Sequence, residues 1–171
     1  FIIHTLKENP KQQIIILAHN KSLLKYLHDA ILNRNIAEVG YYVGGMKEAE
    51  LKISETKKVI IATYSMASEG LDIKTLTTLL LATPKTDIVQ AVGRILRTKH
   101  EQPVVIDVVD DHEIFKKQFS QRKRFYVKQK YKIIEIENTC KNFNKESWTL
   151  NYDPSAKNVK KPVKDKCLIE L

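Results

Sequence analysis

The run Gln13–Ala18, QIIILA, places five consecutive apolar residues after a glutamine, with no polar alternation. A strand with one wet face alternates apolar and polar residues at period two, so this run requires cover on both faces. Strands covered on both faces belong to parallel sheets flanked by crossover helices. Other short β-rich runs follow: EVGYYVGG, ending at Gly44-Gly45, then KKVIIATY, TLTTLLLA and QPVVIDVVD. Helical patterns lie between them. SLLKYLHDAIL sets Leu23, Leu27, Ala30 and Ile31 on one face, with Asn20 or Ser22 as its N-cap. KEAELK is a short helical piece, and DIVQAVGRILR is a helix opened by Pro84-Lys85-Thr86. EIFKKQFSQRKRFYVKQK is a long helix with Phe115, Phe119 and Phe125 on or near one face. This alternation predicts an α/β fold over residues 1–138, a parallel sheet with helices on both faces. YKIIEIE is read as a late strand. Residues 139–171 are polar and lysine-rich, carry Pro154 and Pro162, and are read as a basic extension or irregular tail.

The chain has 171 residues, enough for one domain with a proper core and an appendage. At 43% hydrophobic and 29% charged it reads as soluble and globular. No run approaches the roughly 18 apolar residues of a membrane span. No signal-peptide pattern occurs, and a first residue Phe1 rather than Met predicts a piece of a longer protein. Cys140 and Cys167 make no disulfide framework and no CxxC pair, which argues against zinc and for an intracellular, reducing compartment, cytoplasmic or nuclear. The net charge of +9 is uneven. Residues 1–111 hold 14 basic against 13 acidic side chains, and residues 112–171 hold 15 against 7, so +8 of the excess lies in the last third. That asymmetry predicts a polyanionic partner near the C-terminal part; a solvated helix with a tail is the alternative.

Gln90, Gly93, Arg94 and Arg97 in QAVGRILR fall within roughly 100° of one another on a helix. Ile88, Val89, Ala91, Val92, Ile95 and Leu96 take up the rest, an arc wide enough to predict a largely buried helix. Two arginines at i and i+3 repel each other, so a negative group is expected to face the stripe. Guanidinium forks match phosphate oxygens. Gly93 costs about 1 kcal/mol against alanine inside a helix, which predicts close approach of another backbone.

In open parallel sheets ligands bind beyond the carboxyl ends of the strands. That rule selects His19-Asn20, Gly44-Gly45, Thr63 through Asp72, and the loop ahead of the arginine helix. In ATYSMASEGLDI, Thr63 and Ser65 offer hydroxyls to a phosphate, Gly70 permits an unusual backbone angle, and Asp72 can accept from a ribose hydroxyl. The alternative is a polar strand-to-helix loop with helix caps. The sequence contains no GxxxxGK[ST] phosphate loop and no GxGxxG. DDHE, Asp110–Glu113, is read as the cap of the long basic helix, through Asp110 or Asp111, rather than as a metal site.

Taken together these pieces resemble the second, C-terminal RecA-like domain of a superfamily 2 helicase or translocase. IIILAHN resembles motif IV, ATYSMASEGLDI motif V and QAVGRILR motif VI, in the right order and spacing, over about residues 10–135. The resemblance implies Thr63 against the nucleic-acid backbone, with Asn20 and Gly44 lining the same surface. It implies Gly70 and Asp72 against ATP, Arg97 as the arginine finger, and Arg94 and Gln90 beside the triphosphate. Ala91 and Leu96 depart from the HRxGRxGR form of the DEAD-box group. The segment VVDDHEIFKKQFSQRKRFYVKQKYKIIEI is similar to that after motif VI in the XPB-like and UvsW-like branch, which includes restriction translocases and helicases of large DNA viruses. The lysine- and isoleucine-rich composition fits a viral origin.

The family implies ATP and Mg²⁺, both held mainly by an N-terminal RecA-like domain of the same protein. It also implies a nucleic-acid partner, DNA ahead of RNA, and no membrane. A non-enzymatic basic nucleic-acid-binding module is the alternative function; it accounts for the charge but not for the arginine stripe. A Rossmann-type small-molecule enzyme lacks its glycine fingerprint.

Overall fold

A computed structural model of the chain describes residues 2–69, 71–95, 103–136 and 148–156, with residues 94 and 95 described by backbone alone. The chain divides into two units, Phe1–Lys123 and Arg124–Leu171.

The first unit is built on a five-stranded parallel sheet in the order β2-β3-β1-β4-β5. The strands are β1 (Ile14–Ala18), β2 (Val39–Tyr42), β3 (Val59–Thr63), β4 (Thr78–Leu81) and β5 (Val104–Asp107). Helices α1 (Ile2–Glu8), α2 (Lys21–Asn33), α3 (Glu48–Glu55), α4 (Tyr64–Glu69), α5 (Val89–Ile95) and α6 (Glu113–Lys128) precede, separate and follow them. The parallel α/β fold expected from the alternation is the fold observed. β1 pairs with β3 on one side and β4 on the other, with Ile14 opposite both Val59 and Thr78. A central position explains why all five of its residues are fully buried.

The amino ends of β1, β3 and β4 are tied by two buried glutamines. The Gln13 amide donates to the carbonyls of Glu55 (2.7 Å) and Lys57 (2.8 Å), and its oxygen accepts from Thr75 (2.5 Å). The Gln12 oxygen accepts from the hydroxyls of Thr77 and Thr78. The glutamine oxygens and the Gln13 amide are thus partnered, as burial requires.

The helices follow their sequence signals with instructive exceptions. Asn20 caps α2, its side-chain oxygen accepting from the Ser22 backbone at 2.8 Å. Leu24 and Ile31 are the buried residues of α2, while Leu23 and Leu27 pack half-buried against the core. At α6 the cap is His112, not Asp110 or Asp111. Its Nδ1 accepts from the Ile114 backbone at 3.3 Å and its carbonyl from Lys116 at 3.0 Å. Asp111 instead pairs with the Lys116 ammonium, and that bond holds its carboxyl below the usual range. Gly40 is required by packing: a Cβ there would lie 2.9 Å from the Ser54 Cα of α3. The first helix, α1, precedes the apolar run and is not announced by it. Its Ile2 and Leu6 pack half-buried against the core.

In the second unit, β6 (Ile133–Glu135) pairs antiparallel with β7 (Thr149–Tyr152), with a register shift between Ile133 and Ile134. β7 falls inside the stretch read as an irregular extension; its strand character depends on pairing with β6, which a local reading does not see. Tyr126 and Tyr131 stack at 6.1 Å, and Lys132 pairs with Asp153 at 3.6 Å. Among the described residues no helix is long and apolar enough to cross a membrane. Nor do three or more His, Cys, Asp or Glu gather there as a metal site.

Candidate functional site

The chain leaves β1 toward β2 and β3 on one side of the sheet and later reaches β4 and β5 on the other, so the strand order reverses between β1 and β4. The carboxyl ends at this point form the crevice where such sheets bind ligands. Thr63 ends β3 directly beside Ala18, the last residue of β1. Asn20 lies two residues beyond β1 and Gly44 two beyond β2, so the fold brings all three to one sheet edge.

Their local roles differ. Asn20 is exposed, with its side-chain oxygen engaged in capping α2. Thr63 is half-buried, and its hydroxyl oxygen accepts weakly from the Met66 backbone at 3.4 Å. The segment after Thr63 is not an open loop. It enters helix α4 at once, with Tyr64 and Ala67 buried and Ser65 exposed. Gly44 is exposed, and among the described residues a Cβ there would meet only the Met66 sulfur at 3.9 Å. Its neighbour Gly45 holds φ +93°, a conformation that favours glycine. Asp72 is exposed. Gly70 lies outside the described residues.

Helix α5 starts at the same edge after β4. The Asp87 carboxylate accepts from the Val89 backbone at 3.0 Å, satisfying an N-terminal amide of the helix. Ile88, Ala91 and Val92 are buried, whereas Gln90 and Gly93, three residues apart, are exposed. Val89 is 53% exposed, so the buried arc is narrower than expected. A Cβ on Gly93 would meet nothing within 4 Å, so no backbone within this chain's described residues makes the close approach expected there. For Arg94 the structure describes the backbone position in α5; Arg97 lies outside the described residues.

The connection between β4 and α5 is held from several directions. The Ala82 amide donates to the Leu17 carbonyl (2.9 Å), and the His19 amide donates to the Thr83 hydroxyl (3.1 Å). The Tyr64 hydroxyl donates to the Thr83 carbonyl at 2.6 Å, and the His19 and Tyr64 rings lie 4.5 Å apart. The Lys85 ammonium sits 4.7 Å above the Tyr64 ring. The strand-end rule reaches the segments that hold Tyr64 and Thr83 but gives neither residue a role, because each acquires it by touching a residue some twenty positions away.

Burial pushes the Tyr64 phenol up to about 12. Its ordinary value is 10. The neutral form is therefore favoured by folding, and its contribution to stability is present below about pH 10 and lost as the pH rises toward 12. In a phenolate absorbance titration Tyr64→Phe is expected to remove an ionisation near pH 12. Removal of a step near pH 10 would contradict this.

The helicase conserved C-terminal domain family matches residues 1–99 of the chain, more than half its length. The chain is a helicase C-terminal domain. A protein of Acanthamoeba polyphaga mimivirus, whose name places it among the ATP-dependent RNA helicases, is 44% identical over 140 residues. That alignment covers 78% of this chain and 27% of the mimivirus protein, so this helicase domain spans about a quarter of that relative. A similarly named protein of African swine fever virus is 25% identical over 156 residues, covering 85% of this chain and 31% of that protein. Among solved structures, T4 UvsW superposes with a TM-score of 0.58 at 22% identity, over 76% of this chain and 31% of its own. The Hef helicase domain of Pyrococcus furiosus gives 0.54 at 21%, over 71% and 26%. These likenesses establish the RecA-like fold of the helicase C-terminal domain.

Proposed function

We propose that this domain is the C-terminal half of an ATP-dependent nucleic-acid motor. Its arginine helix completes an ATP site whose other wall is an N-terminal RecA-like domain. The observation that carries the reading is the start of QAVGRILR after β4, next to the β1–β4 switch point, on a helix that packs against α4 and β4 and leaves Gln90 and Gly93 exposed. Arg97, as arginine finger, and Arg94 would offset charge on the γ-phosphate, with Gln90, Gly70 and Asp72 contacting nucleotide. Thr63, Asn20 and Gly44 would track the phosphate backbone of the nucleic acid. The names of the viral relatives support ATP use and bring RNA forward as the partner. Since the chain contains no GxxxxGK[ST], the triphosphate and Mg²⁺ are assigned mainly to the other domain, which would supply charge neutralisation at the phosphates.

The reading predicts that the purified 171-residue chain releases no measurable phosphate from ATP, with or without DNA or RNA. Robust turnover by this chain, in fractions free of contaminating ATPase, would refute it.

A further inference from the structure

Arg122 is the only basic side chain among the fully buried residues of the described chain, at 1% exposure. Its guanidinium is spent on two different elements. Nε and Nη2 donate to the two carboxylate oxygens of Asp107, at the end of β5, at 2.7 and 2.8 Å. Nη1 donates to the carbonyl of Lys85 at 2.9 Å. The fork on Asp107 fixes the plane and direction of the guanidinium, which leaves the third donor aimed at one place. That place is the connection from β4 into the arginine helix. Lys85 lies four residues before Val89, and Asp87, which caps the helix, lies between them. The other hydrogen bonds that hold this connection among the described residues act earlier, at Ala82 and Thr83, and the Lys85 side chain itself rests over the Tyr64 ring. Among the described residues Arg122 therefore makes the backbone hydrogen bond nearest the helix start from outside it.

We propose that Arg122 is a positioning residue: through the Lys85 carbonyl it anchors the start of the arginine helix to β5 and α6. The consequence for turnover rests on the reading of α5 given above, whereas the anchoring does not. A lysine at 122 keeps the charge beside Asp107 but offers no rigid fork and no aimed third donor. A helix start that is free to shift would misplace groups one and two turns further along, where geometry controls rate.

The test is amide hydrogen exchange on the 171-residue chain carrying Arg122→Lys, read against its unfolding equilibrium in urea. Exchange across residues 82–95 is expected to quicken about tenfold or more beyond the change in global unfolding, with β1 and β3 following global unfolding alone. Exchange at 82–95 that is unchanged, or that only tracks global unfolding, overturns the proposal. If Arg122→Lys does not fold, the pair Asp107→Leu with Arg122→Met removes both buried charges and the donor to Lys85, and the same two outcomes apply.

In the intact protein, Arg122→Lys is expected to lower kcat about tenfold or more with little change in the KM for ATP. Local loosening with unchanged turnover, where Arg97→Ala abolishes turnover, overturns the positioning role. If Arg97→Ala also leaves turnover unchanged, the reading of α5 has failed, and the anchoring stands on the exchange result.

Discussion

Arg97→Ala in the intact protein is expected to cut nucleic-acid-stimulated ATP turnover by about 10³-fold or more while DNA and RNA binding persist. An arginine that meets the γ-phosphate acts on charge that develops in the transition state, so its loss lowers kcat far more than it weakens ground-state binding. Nucleic-acid affinity is carried by other contacts and should keep its salt dependence. Steady-state phosphate release and filter binding, measured on the same preparation, separate the two effects. Unchanged turnover would mean that the stripe of Gln90, Gly93, Arg94 and Arg97 faces something other than a phosphate. The basic region 112–171 would then become the better candidate for the functional surface.

Asp107→Ala is expected to cost about 3–5 kcal/mol of stability, a larger loss than an ordinary surface substitution produces. It strands the Arg122 guanidinium, which is 1% exposed, with its carboxylate partner gone and only the Lys85 carbonyl left to it among the described acceptors. Removing both charges in the pair Asp107→Leu with Arg122→Met should be far milder, because no buried charge is left uncompensated. Urea unfolding of the 171-residue chain measures both. A loss under about 1 kcal/mol for Asp107→Ala would show that water or a rearranged side chain takes over from the carboxylate.

Much of this molecule was legible along the chain because its signals are local. The apolar run at Ile14–Ala18 announced a doubly covered strand, and it is the fully buried centre of the sheet. The alternation of runs located the strands β1 to β5, and Asn20 was readable as a cap because its partner is two residues away. The motif order identified the family, and strand ends selected the sheet edge where Thr63, Asn20 and Gly44 gather.

Other features depend on partners distant in sequence. The segment after Thr63 reads as a polar loop, yet Tyr64 is buried and bonded to Thr83, which turns it into a helix start wedged against the next connection. Gly40 looks like any strand glycine until α3 lies against it. β7 has no identity without β6. Arg122 is the clearest case. In SQRKRFYVK it is one basic residue among four, and nothing local separates it from Lys123, Arg124 or Lys128. Sequence alone determined the elements, their order and the residues offered at the strand ends, because periodicity and capping act over a few residues. Only the tertiary structure decided which strand is central and which charge is buried. Strand pairing and desolvation depend on groups that the chain brings together from far apart, as Arg122 meets Asp107 and Lys85 from 15 and 37 residues away.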